Sequence, residues 1–416
     1  MIETFKVNGI NVANIKSQSN IAFFGIAVVA GSNYETPEIA GIAHFVEHCM
    51  FKGTSSRNWK QINEEFARLG VNNNAYTSNT EVLYHATCPK ENIKKVINLM
   101  MDMFFNSTIP VEEMEKERNV IIEEKKMYED DPRSAFINSI GDNVFTWQVG
   151  HNTIGTFKTI KGITRNDIFN YLKEKISLDN MIFICSGDIS SDDLKKYIEE
   201  NIPEKHPYLR LSGANDIIEE SIWSDLIKKP EKIKFLMERE NITQSIVYMI
   251  TDTLSADDSL YYASAILYEA LGGGMYSKLF SRIREELGLC YSVGMYASPL
   301  SYPDKRTANL YGFTSPENVD KFMTESEKVL QDVIKNGLDE NIFECAKTDY
   351  LSTVLRQTET SAGKALYMTK KLLFNKNASL EDSLAKIRSV TMEECNELAK
   401  KLLDVQYNWA VMNPKV

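Results

Sequence analysis

Apolar positions along this chain recur at alternating, then helical, then alternating spacing, and each change of period marks an element. Residues 4–7, 12–15 and 21–29 form short runs rich in β-branched and aromatic side chains, which predict strands. After Pro37 the spacing becomes helical, with Ile39, Ile42, Phe45, Val46, Met50 and Phe51 on one stripe up to Gly53. A second helix is predicted over 59–69, stopped by Gly70. The Asn-rich stretch 71–80 has no continuous apolar pattern and fits an exposed sheet edge or a turn equally well. An apolar strand over 82–88 follows. Pro89 then opens a helix through Ile93, Val96, Ile97, Met100, Met101 and Phe104, and Pro110 opens a long one.

Beyond Pro132 the pattern predicts a helix to about residue 147, a loop over 150–156, a short helix over 166–173, a strand over 181–186 and a helix over 191–200. Pro203, Pro207, Gly213 and Pro230 then interrupt the chain, so 206–231 reads as a linker between a domain at 1–205 and another at 232–416. The second half predicts a strand over 245–251, a helix over 260–271 ending at Gly272-Gly-Gly, and a helix over 276–287. Strands over 290–297 and 307–314, long helices over 316–336 and 339–375, two shorter helices and a strand over 409–412 complete it. That order repeats the first half. The expected fold is therefore α+β: two structurally similar domains, each a mainly antiparallel sheet packed with helices.

Length supports the duplication, since 416 residues exceed one core and suit two domains of about 200. Hydrophobic content of 43% and charged content of 25% are those of a globular protein. No basic start leads into an apolar run and no stretch approaches the ~18 apolar residues of a membrane helix, so neither signal peptide nor membrane association is expected. The six Cys are scattered without a C-x-x-C spacing and read as free thiols of a reducing, cytoplasmic compartment. A net charge of −11 argues against nucleic acid as a partner.

The candidate chemistry is concentrated in His44-Phe-Val-Glu47-His48. On a helix, His44 and His48 stack one turn apart and Glu47 points into the same sector. Two imidazoles with a carboxylate beside them can hold Zn²⁺ and place a base next to the water it activates, and this order is the H-x-x-E-H pattern. Two His leave a catalytic zinc short of its third protein ligand. The helix after Pro110 carries Glu112, Glu113, Glu115, Glu117, Glu123, Glu124 and Glu129, most of which belong to a solvated face. Glu117 and Glu124 lie two turns apart on one face with Val120 and Ile121 between them. A carboxylate buried on such a face needs a partner such as a metal.

These residues resemble the pitrilysin/insulinase family of zinc peptidases, the inverzincins. The likeness is greatest to the short branch with the mitochondrial processing peptidase and its bacterial homologues. It is carried by His44-Phe-Val-Glu-His-Cys-Met-Phe-Lys-Gly-Thr54 and by Glu117-Arg-Asn-Val-Ile-Ile-Glu-Glu124. Asn74-Ala-Tyr-Thr77, Met127-Tyr-Glu-Asp-Asp-Pro132, His151-Asn-Thr-Ile-Gly155, Leu271 to Phe280 and Arg284 to Tyr291 add to it. The resemblance implies one Zn²⁺ per chain on His44, His48 and Glu124, with Glu47 as general base and Glu117 as a supporting carboxylate. Choosing Glu124 over Glu123 depends on the family spacing. It also implies Arg284 and Tyr291 as donors to the developing oxyanion.

Asn74, Ala75 and Tyr76 would form an edge onto which peptide substrate adds as a strand. Gly272, Gly273 and Gly274 match a substrate-contacting loop, or simply stop a helix. The implied function is a zinc endopeptidase cleaving peptides or presequence-like segments in an enclosed chamber, as a homodimer or paired with a paralogous subunit. The alternative is a non-catalytic structural or binding subunit. Laying 41–48 over 263–270 puts Ile266 and Ala270 where His44 and His48 stand, so only the N-terminal copy keeps ligands. Cys49 and Lys125 depart from the usual apolar residues without removing a required atom.

Overall fold

The computed structural model describes residues 2–203, 234–301, 305–375, 377–405 and 407–415. The linker expected at 206–231 lies outside the described residues. In chain order the first half has strands β1 (Ile2–Val7), β2 (Ile10–Lys16) and β3 (Ile21–Val28), helices α1 (Ile42–Cys49) and α2 (Trp59–Arg68), and strands β4 (Asn72–Thr77) and β5 (Val82–Pro89). Helices α3 (Ile93–Asn106), α4 (Val111–Asp130), α5 (Pro132–Val144), α6 (Trp147–Gly150), α7 (Phe157–Gly162) and α8 (Arg165–Lys175) precede β6 (Met181–Gly187) and α9 (Ser191–Glu199). The second half has β7 (Lys234–Arg239), β8 (Ser245–Thr253), α10 (Tyr261–Gly272), β9 (Cys290–Ser301) and β10 (Lys305–Thr314). Helices α11 (Val319–Asn336), α12 (Glu340–Gln357), α13 (Ser361–Phe374), α14 (Leu380–Ser389) and α15 (Met392–Leu403) lead to β11 (Asn408–Pro414).

Two sheets result, ordered β1-β2-β6-β3-β5-β4 and β7-β11-β8-β10-β9. Setting β1 aside, the two have the same connectivity. In each, the first strand runs parallel to the last, the last is antiparallel to the second, and a hairpin completes the sheet. The duplication expected from element order is thus a duplication of topology. Strand β7 and helix α7 went unpredicted. The helix expected over 276–287 is a seven-residue π-helical stretch, Phe280–Glu286. The helix expected over 339–375 breaks at 358–360, where the Thr360 hydroxyl caps α13 by accepting the Gly363 N–H.

The chain separates into two compact units that are interleaved, whereas the sequence reading drew a single cut. Among the described residues, one unit lies within 2–128, 151–203 and 357–379, and the other within 129–150, 234–356 and 380–415. Sheet burial explains the exchange. Strand β3 is buried at every position after Ile21, so its sheet must be covered on both faces. Helix α3 packs on β3 and β5, while α13, from far along the chain, packs on β2, β3 and β6. Its residues Ala365, Met368 and Leu372 are fully buried. In the second unit, Phe136 of α5 is buried and its ring lies 6.3 Å from that of Phe235 in β7.

No described helix is long and apolar enough to cross a membrane. All six Cys are free.

Met368→Ala tests the exchange, because it removes a buried side chain in the C-terminal half that packs on the N-terminal sheet. It is expected to cost about 2–5 kcal/mol. Faster hydrogen exchange in β2, β3 and β6 is the readout, and unchanged exchange there contradicts the packing.

Candidate metal centre

The eight-residue helix α1 is shorter than the apolar stripe suggests, because Gly41 adopts φ +93° and a 3₁₀ turn, Pro37–Ile39, precedes it. Ile42, Phe45, Val46 and Cys49 face the core, which leaves His44, Glu47 and His48 on the other side. The His44 and His48 ring centroids are 4.6 Å apart. Both Nε2 atoms face Oε2 of Glu124 on α4, at 3.6 Å from His44 and 3.4 Å from His48. Glu123 points away and pairs with Lys126 on the exposed side. Two turns before Glu124, Glu117 accepts from Nδ1 of His48 at 3.0 Å, and its other oxygen meets Lys52 Nζ at 2.8 Å.

The donor set fits a tetrahedral dication. Zinc–nitrogen bonds of about 2.0–2.1 Å at tetrahedral angles put donors about 3.3–3.4 Å apart. The two separations, 3.4 and 3.6 Å, match that spacing, and one atom from each of the three residues lies within 4.8 Å of the others. Lone pairs also demand a cation. When His48 donates Nδ1–H to Glu117, its bare Nε2 faces a carboxylate oxygen, and two acceptors at that distance require a positive charge between them.

Without metal, a proton supplies that charge. Burial alone would lower His48, but hydrogen bonds to Glu117 and Glu124 outweigh it and raise the imidazole to about 9. Burial and the neighbouring His48 charge push His44 down to about 4. Glu124 is held below the ordinary carboxylate range by its hydrogen bond with His48. Burial would raise Glu117, yet the His48 and Lys52 hydrogen bonds keep it low.

Glu47 behaves differently. Burial pushes its carboxyl up, and Thr77 Oγ1, which donates to Oε2 at 2.7 Å, only partly offsets this. Cys49, next to His48, is buried and its thiol is pushed up to about 12, so it offers no competing thiolate. Lys125 lies with Nζ 5.3 Å from the Phe157 ring centre.

Asn74, Ala75 and Tyr76 lie in β4, which among the described residues pairs only with β5 and is therefore a sheet edge rather than a turn. Thr77 closes that strand, so the same edge carries the hydroxyl that holds Glu47. The remaining predicted residues belong to the second unit. Gly272 ends α10, and a Cβ there would strike the Met295 amide; a Cβ on Gly273 would strike the Glu269 carboxylate, and one on Gly274 the Tyr276 ring. Arg284 stacks over Phe280 and Tyr291, its guanidinium 5.2 Å from the Tyr291 ring centre, and Tyr291 is 79% exposed. Ile266 and Ala270 are fully buried core residues.

Sequence reasoning gave no role to four residues that the structure attaches to this centre: Lys52, Thr77, Glu35 and His151. Glu35 accepts the Gly41 and Ala43 N–H groups at the start of α1, and His151 Nε2 lies 3.0 Å from Glu35 Oε2. Lys52 follows His48 by four residues, a helical spacing that was a usable signal. The Thr77–Glu47 and His151–Glu35 contacts cross 30 and 116 residues and left none.

The chain is similar to known proteins over most of its length. The family model described as insulinase (peptidase family M16) matches residues 11–156, and that described as the peptidase M16 inactive domain matches 162–350. The chain is 29% identical over 393 residues to the uncharacterized zinc protease YmxG of Bacillus subtilis, covering 94% of this chain and 92% of that one. It is 29% identical over 422 residues to an uncharacterized zinc protease of Rickettsia bellii, covering 100% and 98%. A crystal structure of a protease from Helicobacter pylori superposes with TM-score 0.90 at 18% identity over 100% of both chains. One titled peptidase M16 inactive domain, from Pseudomonas fluorescens, gives 0.85 at 17% over 100% of this chain and 98% of that one. At those identities the structures show the shared fold.

A metal taken up here must displace the His48 proton, which the metal-free protein holds until pH rises through about 9. Affinity for zinc is therefore expected to rise by about tenfold per pH unit below 9 and to level off above it. Calorimetric titration at pH 7 in buffers of differing ionisation heat should show about one proton released; release of none contradicts the assignment.

Proposed function

The chain belongs to the insulinase family of peptidases, peptidase family M16, and from that premise we propose that it is a zinc-dependent endopeptidase that cuts peptides or presequence-like segments. The observation that carries the reading is the convergence of His44, His48 and Glu124 with Glu47 beside them and Glu117 behind. One zinc ion per chain would be held by His44, His48 and Glu124. When bound, it supplies Lewis acidity, making a water molecule more acidic and polarising the scissile carbonyl.

The chain's own residues do the rest. Glu47 takes a proton from water and returns it to the leaving amine. A carboxyl raised by burial suits both halves of that exchange better than an exposed one. Thr77 holds one carboxylate oxygen, which restricts Glu47 to few rotamers. Glu117, fixed by Lys52, orients His48 through Nδ1 and leaves Nε2 for the metal.

Substrate is read as an added strand on β4, with backbone groups of Asn74, Ala75 and Tyr76 supplying the ladder. Arg284 and Tyr291 are assigned as donors to the developing oxyanion, and Gly272, Gly273 and Gly274 as a substrate-contacting turn where side chains do not fit. The working unit in this reading is a dimer, of two copies or with a paralogous subunit, enclosing the substrate. Six free thiols, four of them buried, support a reducing, cytoplasmic setting.

Two experiments test this. Glu47→Gln should abolish cleavage of a peptide mixture, read by mass spectrometry, while zinc content stays at one per chain. Undiminished turnover sinks the mechanism, and zinc-free wild-type protein favours the non-catalytic subunit reading. Mixing Glu47→Gln chains with Arg284→Ala chains should restore activity if Arg284 acts on a second subunit's centre. Complete absence of restoration places it in the same chain.

A further inference from the structure

The two histidines of the centre are oriented by different means. His48 is held through its ring, by Glu117 on Nδ1. Nδ1 of His44 is buried, and among the described residues nothing hydrogen-bonds to it. Ligating histidines ordinarily fix their direction by donating from the second ring nitrogen. His44 therefore takes its direction from the helix that carries it.

That helix is short and has no cap from its own N-cap residue, Gly41. The cap comes from Glu35, whose two oxygens accept Gly41 N–H at 2.7 Å and Ala43 N–H at 2.8 Å, the latter on the residue before His44. Burial pushes the Glu35 carboxyl up, and its hydrogen bonds with His151, Gly41 and Ala43 only partly oppose this. His151 supplies a third donor at 3.0 Å, and the two side chains are 5% and 0% exposed. The loop bearing His151 also abuts α1. A Cβ at Gly41, φ +93°, would strike the Ile154 carbonyl, and one at Gly155, φ +84°, would strike the Ala40 carbonyl. The start of α1 thus has one seat, built from a residue ahead of it and a loop more than 100 residues beyond.

Resting on the zinc reading above, we infer that the Glu35–His151 pair is the positioning device for the His44 ligand. It fixes the rotation of α1 through its first N–H groups, and with it the direction of the His44 ring. Side-chain tips lie about 5 Å from a helix axis, so a rotation of about 10° moves Nε2 by about 1 Å. Metal–ligand bonds tolerate about 0.2 Å. A carboxyl and an imidazole buried together are also a poor device for stability alone, since apolar residues of the same volume serve as well or better.

The test uses the full-length chain stripped of metal. Zinc is titrated in competition with a chromophoric chelator, and Co²⁺ is added separately to record its d–d absorption. Glu35→Gln keeps the volume but replaces one of the two accepting oxygens with an NH₂ group, and is expected to bind zinc about 10- to 100-fold more weakly with an altered Co²⁺ spectrum. Circular dichroism at the assay temperature should stay native. His151→Gln, which keeps an N–H donor, should lose less.

Wild-type zinc affinity and an unchanged Co²⁺ spectrum in both variants overturn the inference and leave the pair a structural contact. Should Glu35→Gln not fold, His151→Gln and Glu35→Asp decide the question by the same criteria. A wild-type chain that binds neither metal overturns the zinc reading itself, an outcome distinct from failure of the clamp.

Discussion

Two imidazoles and three carboxylates meet around one turn of α1, and such groups are costly to hold away from water unless each faces an opposite charge or a hydrogen-bond partner. The surrounding structure supplies those partners one by one. Lys52 faces Glu117, Glu117 faces His48, Thr77 faces Glu47, and Glu124 faces both Nε2 atoms. The remaining need, a positive charge among the Nε2 atoms and Glu124, is met by a proton on His48 or by a metal. Glu35 and His151 apply the same rule at the start of the helix, where the peptide N–H groups and an imidazole surround a carboxylate. The centre is thus a chain of compensated charges, and its geometry follows from where each partner is anchored.

The second unit shows what the same topology does without that demand. Its strands connect in the same order, and its helix α10 occupies the place of α1, yet Ile266 and Ala270 are packed into the core. Apolar side chains need only volume matched around them. No set of charged partners has to be assembled, and the unit is free to present other features: the exposed Tyr291 beside Arg284, and a turn of three glycines.

Interleaving ties the two units together covalently in a way that a single linker does not. Helix α13 covers the first sheet and α5 belongs to the second unit, so each sheet is complete only after the chain has passed through both. The exchange arises because the central strands of the first sheet are buried on both faces, and the helices next in sequence pack on one of them. Local pattern shows that α13 is a helix with an apolar face. It carries no information on which of two similar sheets receives that face.

The sequence by itself determined the periodic elements, the duplicated α+β order and the metal-site pattern, because all of these are local or repeat at fixed spacing. The spacing of His44, Glu47 and His48 sets their shared face once the segment is helical, and the seven-residue interval sets the shared face of Glu117 and Glu124. Tertiary structure decided the rest. It distinguished Glu124 from Glu123, showed Asn72–Thr77 to be an edge strand, and brought Thr77 to Glu47 and His151 to Glu35. Those contacts join residues far apart in the chain, with no period to announce them. They are fixed by which sheet edge and which loop the packed core leaves beside α1.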